Sequence, residues 1–149
     1  MRQQQAAELA AAMQAGCLGS RVGRLHRMVA RRFDQALRPT GVSLPQLEVL
    51  GILLRDGPLK PSAVAERLAV ERSTISRNLA LMERHGWIAL DISPSGRVTS
   101  AATTDRGVAA LASAAGAWAT AQRELTEVIG VDVAPAVDDW LGTLADSPD

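Results

Sequence analysis

With 149 residues, 47% of them hydrophobic and 21% charged, the chain has the size and composition of one globular domain with a real core, which excludes a disordered polypeptide. No apolar stretch spans a bilayer, since the run from Val49 to Leu54 is far too short, and glutamines stand near the N-terminus where a secretory signal needs an unbroken apolar region. Net charge is zero, but it sums two opposed parts: Met1 to Arg106 holds 15 Lys+Arg against 9 Asp+Glu, and Gly107 to Asp149 holds 1 against 7.

One cysteine forms no internal disulfide, and with no targeting segment it points to the reducing cytoplasm. One cysteine and two scattered histidines, His26 and His85, provide no tetrahedral metal site. Nucleophile elbow, phosphate-cradling loop and dinucleotide fingerprint are absent, so neither catalysis nor a cofactor is expected.

Met1 to Gly16 is rich in Gln, Ala and Met and has high helix propensity, reading as an extension of the first helix. From Leu18 to Leu37 the apolar positions Leu18, Val22, Leu25, Val29, Phe33 and Leu37 recur every three or four residues, predicting an amphipathic helix. Arg21, Arg24, Arg27, Arg31 and Arg32 fill much of its other side, either as a solvated face or as partners for carboxylates or phosphates. Pro39 and Gly41 end this helix. Ser43, with Gln46 three residues on, is a capping-box signature for the next, whose run to Leu54 is apolar nearly all round and predicts deep burial.

Asp56-Gly57-Pro58 is a turn. A short helix follows from Pro61 to Leu68, with Pro61 at a first-turn position and Val64, Ala65 and Leu68 turned to its neighbour. A second helix is predicted from Arg72 to His85. Its stripe of Ile75, Leu79 and Met82 faces a core, which leaves Arg72, Ser73, Thr74, Ser76 and Arg77 on the free side. Gly86 suits a left-handed C-terminal cap. Two extended segments, Trp87 to Ile92 and Arg97 to Ala101, flank the turn Ser93-Pro94-Ser95-Gly96 and place Arg97 at a hairpin tip.

Thr104 caps a long helix in which Val108, Ala115, Gln122 and Ile129 recur every seven residues beside Leu111, Trp118 and Leu125, a face that calls for a partner helix. Gly130 stops it. A last helix near Pro135 carries Val137, Trp140, Leu141 and Leu144 on one side, with little to bury against in so small a lobe. The first and last helices are therefore expected to build a dimer interface.

Helix, tight turn, second helix and arginine-tipped hairpin make a winged helix-turn-helix. Guanine offers two acceptors side by side in the major groove and phosphates accept from any donor, so arginine and serine on the second helix suit double-stranded DNA. Lys60, Ser62 and Arg97 are the expected phosphate or minor-groove contacts, beside Arg72, Ser73, Thr74, Ser76 and Arg77 on the helix. A winged-helix module that binds protein instead is the rival, with Glu71 on its side and Arg72 and Arg77 against it.

The ordered series Leu44-Pro45-Gln46, Val64-Ala65-Glu66-Arg67-Leu68, Arg72-Ser73-Thr74-Ile75-Ser76-Arg77, His85-Gly86-Trp87-Ile88, Gly96-Arg97 and Thr104-Asp105-Arg106-Gly107 resembles the MarR family of bacterial transcription regulators. The resemblance implies a mainly α fold with a small β-hairpin wing and an intertwined helical homodimer. Residues 1–149 then form a single domain, with dimerisation helices at 18–38 and 104–146 around a DNA-binding lobe at 43–103. It further implies a repressor on a pseudo-palindromic operator, released when a small, often aromatic, ligand binds between the dimer helices and the lobe.

The chain departs from the family pattern at three positions. Ala69 replaces the usual turn glycine and is tolerable provided that the backbone stays out of the left-handed region. Glu71 replaces a serine-like cap and is a weaker one. Ser95 replaces a wing aspartate and so removes a carboxylate partner for Arg97. Cys17 lies near the position of the reactive cysteine in peroxide-sensing relatives, and Arg21 is placed to lower its pKa. Those relatives hold the thiolate with tyrosines, which this chain lacks, so redox sensing and an incidental thiol both stand as readings of Cys17.

Overall fold

A computed structural model describes residues 1–147. The chain runs through α1 (Arg2–Gly16), α2 (Leu18–Leu37), a 3-10 turn (Arg38–Thr40), α3 (Leu44–Asp56), α4 (Pro61–Leu68), α5 (Arg72–Arg84), β1 (Ile88–Ile92), β2 (Val98–Thr103), α6 (Asp105–Ile129) and α7 (Val133–Ala145). The predicted helices appear with nearly the predicted bounds. The N-terminal segment differs: α1 is a separate helix, because Cys17 takes an extended ψ of 112° and breaks the chain between α1 and α2.

Two adjoining cores organise the rest. In the first, Val49, Leu50 and Leu53 of α3 meet Val64 and Ala65 of α4, Ile75, Leu79 and Met82 of α5, and Ile88 and Ala101 of the hairpin. Phe33 and Leu37 of α2, with Val42 and Leu47, pack on Ala114, Ala121 and Leu125 of α6 in the second. Trp87 borders both cores and stacks on His85 at a centroid distance of 4.5 Å. Trp87, Ala110 and Leu111 border both cores and so join the helix-turn-helix and hairpin to the long helices.

The capping box forms as the sequence predicts: Ser43 N–H donates to Gln46 Oε1 at 2.9 Å, and Gln46 is a buried polar side chain of the core. Thr104 likewise caps α6, its Oγ1 accepting from Gly107 N–H at 3.1 Å while donating to the Gly86 carbonyl at 2.6 Å.

β1 and β2 pair antiparallel with a bulge between Asp91 and Ile92. Leu59 adds a one-residue bridge to Ala101, with Leu59 N–H donating to Ala101 O at 3.0 Å and Ala101 N–H donating back at 2.8 Å. A bridge of one residue has no alternation to read, so nothing in the sequence announces it.

Within the chain the long helix buries a row one position before the first predicted seam, together with Leu125 of the second. Buried positions on α6 are Gly107, Ala114, Ala121 and Leu125, whereas Val108 is 40% and Ile129 39% exposed. Ala114 and Ala121 pack with Phe33 and Leu37 of α2 together with Leu125 of the predicted seam, Leu111 borders both cores, and Val108, Trp118 and Ile129 are left exposed, as a face that calls for a partner helix would be. Only Phe33 and Leu37 of the α2 stripe are buried. Leu18, Val22 and Leu25 are exposed, as are Trp140, Leu141 and Leu144 of α7, where no residue is buried.

Candidate nucleic-acid interface

The chemistry of α5 follows from how its other side is fixed. Ile75, Leu79 and Met82 lie in the first core with at most 2% exposure, which sets the rotation of the helix. Arg72, Ser73, Thr74, Ser76 and Arg77 are all exposed on the free side. Arg77 Nε donates to the Ser73 carbonyl at 3.3 Å, steadying the guanidinium while its two terminal nitrogens stay available for a forked acceptor.

Two further candidates, Lys60 and Ser62, are exposed at the start of α4, where Lys60 is the N-terminal cap residue. Arg97 is exposed beyond the wing turn, on a different element from the other seven. The turn is tied internally: Ser93 N–H donates to Arg97 O at 2.8 Å, and Arg97 N–H donates to Ser93 Oγ at 3.2 Å. Among the described residues none of Lys60, Arg72, Arg77 and Arg97 has an ion-pair partner within the chain. Their charge is therefore unneutralised from within and open to phosphates.

Ala69 overturns one expectation. The sequence accepts alanine in the turn if the backbone avoids the left-handed region, yet Ala69 has φ 51° and ψ 44°. The close crossing of α4 and α5 requires that conformation, and Val70 N–H completes it by donating to Ala65 O at 3.0 Å. Its Cβ bears the strain that a glycine would avoid. Glu71 behaves as expected, capping α5 with no side-chain hydrogen bond.

Three supports of the interface escaped the sequence reading. Asp56, read there only as part of a turn, joins the end of α3 to α4 by pairing with Arg55 and Arg67. The hydrogen bond from Arg55 is the main cause that holds its carboxyl below the ordinary aspartate range. Asp91 supplies a wing carboxylate but uses it on Ser100, whose Oγ donates at 2.6 Å. Gly107 is the third: a Cβ there would lie 2.0 Å from the Trp87 carbonyl oxygen, so only glycine lets α6 seat against the hairpin. Its place four residues into the Thr104-Asp105-Arg106-Gly107 motif was the available signal.

Cys17 lies at the junction of α1 and α2, half-buried and apart from the helix-turn-helix and hairpin. Its thiol pKa is lowered, but the agents are a side-chain hydrogen bond with Ser20 and then the Ser20 backbone N–H. Arg21, the expected cause, instead donates to the Ala15 carbonyl at 2.9 Å. Between α3 and α6 lies a cavity of about 260 Å³ lined by Leu44, Leu47, Glu48, Leu111, Ala114, Ala115 and Trp118. Burial raises the Glu48 carboxyl, and the charge of His26 opposes that rise. No helix among the described residues is long and apolar enough to cross a membrane.

A model described as the MarR family matches residues 40–97, the stretch that holds α3 to the wing. An uncharacterized HTH-type transcriptional regulator, YwoH, of Bacillus subtilis (strain 168) is 31% identical over 62 residues, which cover 42% of this chain and 45% of that relative. Solved structures match more of the length. The transcriptional regulator MosR of M. tuberculosis is 30% identical with a TM-score of 0.73, over 87% of this chain and 96% of its own, and MosR has also been solved in complex with DNA. The transcriptional repressor CouR, bound to a 23-mer DNA duplex, is 28% identical with a TM-score of 0.74, over 89% of this chain and 95% of its own. The fold matches that of the two solved regulators over 87% and 89% of this chain, and the chain belongs to the MarR family of transcriptional regulators.

Proposed function

We propose that the protein is a transcriptional repressor that binds a pseudo-palindromic operator as a homodimer and releases it when a small ligand binds. The observation that carries this reading is the outward face of α5, where two unpaired arginines and three hydroxyls are held on a helix whose opposite side is locked in the core. Each half-site receives one α5 in the major groove, and the half-sites lie about one helical turn apart. Lys60, Ser62 and Arg97 add contacts to phosphates or the adjacent minor groove.

The ligand part of the proposal rests on the cavity between α3 and α6, since α3 and α5 share the first core. CouR has been solved bound to p-coumaroyl-CoA as well as to DNA, a precedent among similar structures for an effector that carries an aromatic acyl group. A compound that wedges α3 away from α6 moves the recognition helix with it.

Selection of bound fragments from random duplex DNA tests the proposal, repeated with a panel of small aromatic compounds. A recovered inverted repeat, with some compound lowering its recovery, is the expected result. A flat dependence of log affinity on log salt would overturn it, because about six phosphate contacts per dimer give a slope near −5.

A second reading, that Cys17 senses oxidants, has one observation in its favour: the helix N-terminus and Ser20 favour the thiolate,. Equal operator affinity before and after a mild peroxide dose would remove it.

A further inference from the structure

The cavity between α3 and α6 carries one charge that neither core uses. Leu44 and Glu48 stand one turn apart on α3, while Leu111, Ala115 and Trp118 share a face of α6, so each wall is one row of a helix,. Of the seven residues that line the cavity only Glu48 is charged, the others being leucine, alanine and tryptophan. Glu48 sits at the rim, exposed as a residue, yet the protein around its carboxyl holds it above the ordinary glutamate range. The charge of His26 on α2 opposes that rise without reversing it. Among the described residues Glu48 has no ion-pair partner within the chain.

A carboxylate that has lost part of its water and gained no partner is stabilised by an added cation and penalised by a second carboxylate. Trp118 on the α6 wall is 43% exposed, and the face of an indole attracts a cation as well as an aromatic ring. The lining therefore selects its ligand by charge. Volume sets the size: about 260 Å³ falls below the roughly 300–1,000 Å³ of sites for drug-sized ligands, which suits one ring with a short side chain.

We propose that the effector is a single-ring arylalkyl amine taken up in its protonated form, with the ring against Trp118 and the leucines and the ammonium on the Glu48 carboxylate. This rests on the ligand reading above and adds to it the charge that the ligand carries.

Three probes of nearly one shape test it: phenethylamine, 2-phenylethanol and 3-phenylpropionate, which differ in the group that ends the side chain. Calorimetry on the full-length protein measures direct binding, and fluorescence anisotropy on the selected operator measures release. Phenethylamine should bind more tightly than the alcohol and at least about tenfold more tightly than the carboxylate, and Glu48→Gln should remove most of that advantage. Circular dichroism checks that the variant is folded. Should it unfold, Ala115→Lys brings a competing cation to an exposed position of the same cavity and should weaken phenethylamine by a similar factor.

An amine that binds most tightly and loses its lead in the variant supports the proposal. Equal or tighter binding of the carboxylate overturns it and leaves the ligand reading standing. So does the failure of all three probes where another compound of the wider panel releases the operator. An amine advantage that survives Glu48→Gln or Ala115→Lys also overturns it, because the amine then binds elsewhere. If no compound of any charge binds or releases the operator, the ligand reading falls as well.

Discussion

Gly107→Ala and Gly116→Ala put the same methyl group on the same helix, and the two substitutions should have opposite effects. At Gly107 the added Cβ meets the Trp87 carbonyl oxygen at 2.0 Å, Thr103 Oγ1 at 2.6 Å and the Trp87 carbonyl carbon at 3.0 Å. Two of those atoms are backbone, and the oxygen also accepts from Thr104 N–H at 3.0 Å, so relief requires α6 to move off the hairpin. Overpacking of this kind costs about 3 kcal/mol, the upper end of the usual range, from which the better helix propensity of alanine returns at most about 1 kcal/mol. A Cβ at Gly116 meets nothing within 4 Å, so that substitution keeps only the propensity gain of up to about 1 kcal/mol. Urea denaturation at one fixed protomer concentration measures both, since the proposed dimer would make apparent stability depend on concentration. Equal midpoints for the two variants would refute the claim that Gly107 is required by the approach of α6 to the wing.

Other substitutions probe the helix-turn-helix and its supports. Ala69→Gly should stabilise the fold by about 0.5–1 kcal/mol in thermal unfolding, because relief of a left-handed alanine (about 1–2 kcal/mol) exceeds the backbone entropy that glycine loses (about 0.5–1 kcal/mol); a lowered melting temperature would contradict it. Replacing Glu71 with Ser supplies the missing cap of α5 and should add about 1 kcal/mol to stability; no gain would mean the first turn is satisfied otherwise. The depressed pKa of Asp56 has a defined sign: its pairing with Arg55 and Arg67 stabilises the fold above the ordinary aspartate range and is lost as pH falls through the lower folded-state value,. Wild type should therefore lose more stability than Asp56→Asn as the pH is lowered below about 4. Parallel urea midpoints across that range would rule this out.

Periodicity made the helices legible, and the exposed face of α5 could be read because Ile75, Leu79 and Met82 fix its rotation. The Ser43–Gln46 and Thr104 caps were equally readable, since each needs a particular side chain at a particular offset. What escaped depends on approach in space. Leu59 bridging to Ala101, Gly107 beneath Trp87 and Asp56 reaching Arg67 all join residues far apart in the chain. On α6 the inward row of Ala114 and Ala121 was not read, because hydrophobicity draws attention to Val108 and Ile129, whereas close packing on α2 favours the smallest side chains. Ala69 shows the same limit, in that closure of the turn set its backbone conformation against its own preference.

The account stands on the outward face of α5 reading base edges, and Arg77→Ala tests that most directly. Its guanidinium is already steadied by the Ser73 carbonyl, so loss of a forked contact to guanine should weaken binding to the selected operator by about 1–3 kcal/mol and to scrambled duplex far less. Fluorescence anisotropy with both duplexes at one salt concentration measures the difference. Unchanged affinity for the operator, or equal losses on the two duplexes, would contradict base readout by this helix.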